Sequence, residues 1–251
     1  MATHGSADAA WFYVDGYQVA GVVTHLEDNQ EALTDNNTGL GESVDHEGFV
    51  GVKTAEIAHD GFFDDAAASV ISALDPAAGG ALGAEHVLCY AIAGNVIGAS
   101  CILVRGALEA KFKKLVERVK FTKANASYTV NTVLEGAKVI MHRAARAAAA
   151  NTDATSVNNG ASSANGGTAF LAVESWTGAP TSLAVTMRDS ADNVTFAAIA
   201  GGSAFAAVTA ANQAKVLTIT GTIRQYVSAA WALTGGTAPS WTGIVALVRN
   251  P

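Results

Sequence analysis

Alternation of apolar and polar residues in the last third of the chain is the feature that most limits its fold. In residues 181–188, Leu183, Val185 and Met187 point to one side of an extended strand, and the residues between them point to the other. Such one-sided burial is typical of antiparallel sheets in a β-sandwich. Gly, Pro, Asn and Asp separate most of five such segments. The predicted strands are 168–176, 181–190, 214–223, 224–233 and 243–250.

Composition agrees with β-structure built from small side chains. Half of the residues are hydrophobic, many of them Ala, and only 15% are charged. Disordered chains combine low hydrophobicity with high charge, so this composition excludes disorder as the general state. A chain of 251 residues can form one large domain or two of ordinary size, and it can bury a core without disulfides.

We predict two units joined by a linker. Residues 1–150 form a β domain, and residues 168–251 form a C-terminal β-sandwich. Residues 151–167 are rich in Ser, Asn and Gly, which is typical of a flexible linker.

Four strands and one helix are predicted early in the first unit. Asp64 and Asp65 precede an Ala-rich segment and favour a helix there, because carboxylates stabilise the positive end of a helix. Pro76 ends that helix. The strands are predicted at 10–19 (bent at Asp15-Gly16), 49–58, 87–93 and 100–104.

The second half of this unit is predicted as a hairpin. Residues 127–143 alternate apolar with polar side chains around Glu135-Gly136, which we predict to be the turn. The preceding segment, 112–121, fits a helix and a strand equally well.

The N-terminal quarter is strongly acidic. Between residues 4 and 65 the only Lys or Arg is Lys53. A long polar segment between two strands is normally functional or disordered. We therefore expect an acidic loop at about 26–48 that contacts a partner. Its candidate contact residues are Glu27, Asp28, Glu31, Asp35, Glu42, Asp45 and Glu47.

A basic window follows later in the chain. Residues 105–123 hold seven of the fifteen Lys and Arg residues. This window is either a solvated face or a partner surface, and the candidate partner is the acidic segment of an identical subunit. An acidic and a basic patch at different places on one molecule form a heterologous contact, which closes into rings or propagates into filaments. The candidate residues are Arg105, Lys111, Lys113, Lys114, Arg118 and Lys120.

Motifs of catalysis and of cofactor binding are missing from the sequence. There is no P-loop, no GxSxG and no HExxH pattern. Residues 35–39 resemble the start of a calcium loop, but Gly falls at its fifth position and the twelfth residue is His46 rather than Glu. We predict no enzyme activity, cofactor or metal. A hydrolase with an Asp/Glu pair from the acidic segment is the weakest alternative.

Net charge and hydropathy limit the partners. The net charge of −7 argues against a protein whose main function is nucleic-acid binding, because such binding requires Lys and Arg residues at the phosphates. The N-terminus lacks a signal-peptide pattern, and no apolar run is long enough to insert in a membrane.

Two cysteines, Cys89 and Cys101, lie in apolar, strand-like segments. We predict buried free thiols. A disulfide between the two strands is the alternative, and it requires an oxidising compartment.

The N-terminal arrangement resembles the major tail proteins, or tail tube proteins, of long-tailed bacteriophages. Those proteins commonly begin with a short strand, continue through an acidic, Gly-containing segment and then enter a helix. The C-terminal stretches 182–196 and 217–241 resemble the β-sandwich end of such phage proteins. The matching N-terminal pieces are Asp15-Gly16-Tyr17, 31–41, Glu47-Gly48-Phe49, Gly61-Phe62 and the segment after Asp65.

The resemblance implies a mainly β fold of two packed antiparallel sheets with a flanking α-helix, followed by the C-terminal sandwich. It implies a virion structural protein whose rings, of six subunits, stack into a tube that carries DNA into the host without binding it specifically. Implied partners are other copies of the chain and the tape-measure, tail-terminator and baseplate or tail-tip proteins. The protein would be made in the host cytoplasm and reside in the virion tail.

A carbohydrate- or cell-surface-binding module is the alternative function. Trp176, Trp231 and Trp241 lie in or beside predicted strands of the C-terminal sandwich. An exposed tryptophan in a groove would favour this interpretation.

Overall fold

The computed structural model shows a chain built almost entirely of β-strands. It describes residues 11–19, 23–35, 49–62, 74–75, 80, 82–91, 94–116, 122–147 and 149–250. The strands are β1 (Phe12–Val14), β2 (Tyr17–Gln18), β3 (Val23–Asp35), β4 (Phe49–Phe62), β5 (Glu85–Ala91), β6 (Ser100–Leu115), β7 (Lys123–Arg146), β8 (Ala149–Asn151), β9 (Val157–Asn158), β10 (Gly167–Thr177), β11 (Ser182–Ser190), β12 (Ala197–Ala198), β13 (Gln213–Ile219), β14 (Tyr226–Thr234) and β15 (Ser240–Arg249).

The prediction of a mainly β, antiparallel fold is confirmed, but the flanking α-helix is not borne out. Within the described ranges, helical geometry is confined to Leu74 and to a 3-10 turn at Asp153–Thr155. The predicted helix covers 66–74, of which 66–73 lie outside the described residues and only Leu74 is described.

The strands form two compact units that interleave along the sequence. One unit comprises residues 1–21, 87–103 and 134–251, and the other comprises 22–86 and 104–133. These units do not coincide with the predicted division into 1–150, 151–167 and 168–251. The reason is that β5, β6 and β7 each contribute residues to both units.

The larger unit contains a curled sheet with a second sheet packed on it. The curled sheet has the order β13-β10-β15-β7-β6-β5-β1-β2, and the second has the order β12-β11-β14-β8, with β9 also on β14. Both faces of β10 are buried: Leu171 and Val173 join the core between the sheets, and Phe170 and Ala172 join Trp11 inside the curl.

The five C-terminal strand predictions are confirmed. They correspond to β10, β11, β13, β14 and β15. Leu183, Val185 and Met187 all point into the core between the sheets, whereas Ala184 is exposed. The alternation read from the sequence therefore gives the correct buried face.

A bulge in β10 positions an ion pair that ties three strands together. The pairing of β10 with β15 shifts between Val173 and Ser175, so Glu174 falls at the irregularity. Its carboxylate accepts bonds from Arg143 Nε at 2.7 Å and Nη2 at 2.6 Å, and from the Tyr13 hydroxyl at 3.2 Å. Burial, together with the neighbouring Glu174 charge, raises the pKa of Tyr13, which keeps this hydroxyl protonated.

The bend predicted at Asp15-Gly16 is instead a tight turn between β1 and β2. Asp15 adopts a positive φ of 51°, and its Oδ1 accepts a bond from Val87 N at 2.9 Å. Gly16 lies against the backbone of Asn212 and Gln213, where a Cβ atom would collide. The curl of the sheet thus closes at a position that only glycine fits.

Replacing Gly16 with Ala should therefore destabilise the larger unit. The added methyl group must displace backbone rather than a flexible side chain, so we expect a loss of about 1–3 kcal/mol in the free energy of unfolding. Urea denaturation followed by tryptophan fluorescence measures the loss. An unchanged unfolding midpoint would contradict the close approach.

The smaller unit is an extended sheet with the order β3-β4-β7-β6, to which the start of β5 is added. Leu26–Asp35, predicted as part of an acidic loop, is strand, because β3 pairs with β4 in antiparallel register along its length. The rest of that loop, 36–48, lies outside the described residues.

Two further expectations about this region are corrected. The predicted turn at Glu135-Gly136 is wrong, because β7 runs straight through it. Gly136 has a φ of 76°, which makes an irregularity without reversing the chain. Of the ambiguous segment 112–121, residues 112–115 are strand, and 117–121 lie outside the described residues.

Candidate assembly surface

The acidic strand β3 forms one edge of the smaller unit's sheet. It pairs with β4 on one side, and no other described strand pairs with it. Glu27 lies opposite Ala58, and Asp28 lies opposite Ile57. The side chain of Glu27 is 63% exposed, and Asp28 is half-buried. Among the described residues, this strand therefore has outward backbone groups that no strand pairs with, and it carries negative charge on the same edge.

The basic strand β6 presents cations along its end. Arg105, Lys111 and Lys113 are exposed. Lys114 forms an ion pair with Asp75 of the same chain, a residue that is only 5% exposed. Among the predicted contact residues, Lys114 therefore already has a partner within its own subunit.

The far end of β6 is a second edge of this sheet. The segment beside β6 bonds to it at Glu109, through Gly83 N to Glu109 O at 2.8 Å and Glu109 N to Ala84 O at 3.0 Å. Past that point, no described strand pairs with the outer side of 111–115. The basic residues therefore lie at a strand edge, as the acidic ones do.

The acidic and basic edges lie too far apart to contact each other within one subunit. The order β3-β4-β7-β6 puts two strands between them. Neighbouring strands are about 4.8 Å apart, so β3 and β6 are separated by roughly 14 Å across the sheet. An ion pair requires charged atoms within about 4 Å, so the charges of these two edges do not pair with each other across the sheet.

The structure places the remaining predicted contact residues as follows. Glu31 and Asp35 lie on β3, in the part whose side chains are not described. Glu42, Asp45, Glu47, Arg118 and Lys120 lie outside the described residues.

A buried polar cluster on the same sheet was not predicted from the sequence. His59 Nε2 lies 3.2 Å from the Tyr128 hydroxyl, and His86 Nε2 lies 3.3 Å from Glu109 Oε2. The rings of His86 and Tyr128 meet edge to face, with centroids 5.9 Å apart. The four residues come from four strands, so spacing along the chain could not reveal them. The sequence signal that could have found them is the alternation of buried and exposed positions along β4 and β7, which places His59 and Tyr128 on buried faces.

Burial shifts the ionisation of this cluster. It lowers the pKa of His59 to about 4, because the charged imidazolium loses its hydration. Burial also raises the pKa of Glu109, and the neighbouring His86 partly offsets that effect. At neutral pH, His59 is therefore uncharged in the folded protein.

Acid should destabilise the smaller unit through His59. The unfolded chain takes up a proton on this residue below a pKa of 6.5, whereas the folded protein does so only near 4. Stability is therefore lost as the pH falls from about 6.5 to 4, by up to about 3 kcal/mol. The His59→Gln variant should lose much less, measured by urea denaturation at pH 7 and pH 4.5.

A matched control is His25→Gln, because the His25 side chain is 63% exposed. It should retain the acid sensitivity of the unchanged protein. Equal losses in the His59→Gln variant and the unchanged protein would refute the assignment.

Other candidate sites gain no support from the geometry. Among the described residues, no three His, Cys, Asp or Glu side chains gather as a metal site would require. Cys89 and Cys101 are buried free thiols, as predicted, and burial raises the pKa of Cys89. Trp241 is buried, and Trp176 and Trp231 are half-buried against the core between the sheets.

No helix within the described ranges is long and apolar enough to cross a membrane.

Comparison with known proteins gives matches only among solved structures. No family model and no curated protein matches the chain. A chain in the virion of a native gene transfer agent particle is 13% identical, with a TM-score of 0.40, over 52% of this chain and 97% of that chain. A chain in the tail of an empty gene transfer agent particle, refined with C6 symmetry, is 13% identical, with a TM-score of 0.37, over 53% and 98%. The Dit protein of phage SPP1, described as a hub adsorption apparatus, is 10% identical, with a TM-score of 0.31, over 96% and 99%.

Proposed function

We infer that this chain is a structural protein of a virion tail that assembles with copies of itself through the two edges of its smaller sheet. The observation that carries this function is the pair of strand edges of opposite charge, β3 and the end of β6, on one sheet. The sequence resemblance to tail tube proteins supports the virion setting. No catalytic step enters this function.

Edge-to-edge pairing explains why both edges stay open. Strands of a neighbouring copy satisfy the outward N–H and C=O groups of β3, and the sheet continues from one subunit to the next. Because β3 and β6 are different surfaces, the contact is heterologous, and it closes into a ring when the rotation per subunit divides the full circle.

The charged residues set the orientation of this contact, and uncharged interactions provide most of its affinity. Each exposed ion pair contributes only about 0–1 kcal/mol, so the ion pairs mainly select which edges meet. Backbone hydrogen bonds and apolar contacts over roughly 1,000 Å² or more supply the affinity.

The finer features of the proposal follow from the sequence resemblance. Six subunits form each ring, rings stack into the tail tube, and the tube conducts DNA during ejection into the host. Each subunit has a net charge of −7, which disfavours binding of DNA to the wall of the tube. The ends of such a tube meet tape-measure, tail-terminator and baseplate or tail-tip proteins. The protein is made in the host cytoplasm and resides in the virion tail.

Reversing charge on β6 should block assembly without unfolding the subunit. Lys111 and Lys113 are exposed, so Lys111→Glu with Lys113→Glu repels the acidic edge of a neighbour while the core stays intact. We expect rings and tubes to disappear from negative-stain electron micrographs, and analytical ultracentrifugation to show a shift to monomers. Thermal unfolding of the monomer should change little.

Two further variants make this test specific. Lys215→Glu reverses a charge on β13 of the larger unit and should leave assembly intact. Adding Glu27→Lys and Glu31→Lys to the β6 variant should restore assembly, because both edges are then reversed. Normal assembly of the β6 variant at low and at high salt would contradict the proposal.

A further inference from the structure

Exposed apolar side chains lie at the same end of the smaller unit as the basic residues of β6. Among the described residues, five large hydrophobic side chains are exposed, and three of them, Leu82, Leu108 and Val116, belong to this unit. They are 55%, 42% and 76% exposed. Leu82 lies beside β6, because the next residue, Gly83, donates from its N–H to Glu109 O at 2.8 Å. Single exposed hydrophobic residues are ordinary, whereas a group of them marks an interaction site.

Strand alternation collects the apolar residues of β6 on one face of the sheet. Leu108, Ala110 and Phe112 are spaced two residues apart, so their side chains point to the same side. Leu108 and Ala110 are exposed, and Phe112 is half-buried. Val116 follows the strand directly. These four residues form the apolar patch of β6, and Leu82 adjoins it.

The opposite face of the same stretch is basic. Lys111 and Lys113 alternate with the apolar residues, and both are exposed. Lys114 falls on the apolar face, where Asp75 already neutralises it. No described strand pairs with the outer side of 111–115. A strand added to this edge therefore meets mainly apolar side chains on one face of the sheet and cations on the other.

Strand β3 has the complementary arrangement. Leu26 is half-buried and the adjacent Glu27 is exposed, so alternation places these two side chains on opposite faces of the strand. When Glu27 lies on the basic face of β6, Leu26 lies on the face of the apolar patch. A slip of one residue would place Glu27 on the apolar face, so the charges and the apolar residues favour the same register.

We propose that the apolar patch of β6 is the docking site for β3 of a second copy of this chain, with Leu26 of that copy against the patch and its Glu27 on the basic face. The inference rests on the proposed assembly through β3 and β6, and it names the apolar contact that joins these edges. Strand addition to an open sheet edge gains backbone hydrogen bonds, and the side chains on each face give it specificity. Burying exposed leucine and valine side chains adds affinity that exposed ion pairs lack.

Replacing Leu108 and Val116 together with Ser tests the patch on the intact protein. Both side chains are exposed, so thermal unfolding of the dissociated subunit, followed by circular dichroism, should change little. The protein concentration at half assembly, measured by analytical ultracentrifugation, should rise at least about tenfold, because the contact no longer removes two apolar side chains from water. The effect should persist at high salt, which screens only the charges.

A matched control is Val96→Ser with Val194→Ser. These two residues are 62% and 82% exposed in the larger unit, so this variant removes exposed apolar surface away from β6. It should assemble as the unchanged protein does.

A further variant, Leu26→Thr, tests which surface occupies the patch. Thr suits a β-strand, so β3 should still form, and circular dichroism confirms that the variant folds. The concentration at half assembly should rise here too, because Leu26 provides the other side of the same contact.

Three results would overturn this docking site. These are normal assembly of the Leu108→Ser, Val116→Ser variant, equal weakening by the Val96→Ser, Val194→Ser control, and normal assembly of the Leu26→Thr variant.

The charge-reversed variant of Lys111 and Lys113 separates this contact from the proposed function. If that variant blocks assembly and the Leu108→Ser, Val116→Ser variant does not, the edges join the subunits without the apolar patch. If neither variant alters assembly, the proposed function itself is wrong.

Discussion

Among the described strands, β3 and the end of β6 each pair on one side alone, and these two edges are the constraint on which the proposed assembly rests. An extended strand of 13 residues that no described strand covers on one side is an aggregation hazard unless a defined partner covers it. Here the two open edges carry opposite charge and lie roughly 14 Å apart in one subunit. In the proposed assembly, that separation directs the pairing to neighbouring copies, and a heterologous contact of this kind closes into a ring or propagates into a filament.

The two units differ in where they place charged and buried residues. In the smaller unit, the charged residues lie on β3 and on the end of β6. In the larger unit, both faces of β10 are buried, one in each of two hydrophobic cores. The Gly16 turn and the Tyr13–Glu174–Arg143 group fix the curl of the larger sheet.

The sequence predicts the strands correctly where one face of a strand is buried and apolar and polar residues alternate along it. The alternation around Leu183, Val185 and Met187 gave the correct strand and the correct buried face. The prediction of a turn at Glu135-Gly136 is wrong, because a glycine at positive φ occurs both in turns and at irregularities within strands, and only the pairing of β7 on each side distinguishes them. The prediction of a loop over the acidic segment 26–35 is wrong for a similar reason. Polar residues are tolerated in an edge strand, and nothing local tells an edge strand from a loop.

The candidate surface was only partly predictable. Charge runs identified the acidic and basic residues, but the Asp75–Lys114 ion pair depends on tertiary contacts. The strand order that separates β3 from β6 depends on pairings between residues as distant as His59 and Ala126. The same holds for the buried cluster of His59, Tyr128, His86 and Glu109, whose members lie far apart in the sequence.

Hydrogen–deuterium exchange, compared between assembled and dissociated protein, shows which strand edges join the subunits. If these edges join the subunits, outward amides of β3 and of 111–115 in β6 exchange quickly in dissociated subunits and become protected on assembly. Amides of β10, which has a paired strand on each side, should be protected in both states. Assemblies in which the exchange of β3 and β6 is unchanged would contradict the claim that these edges join the subunits.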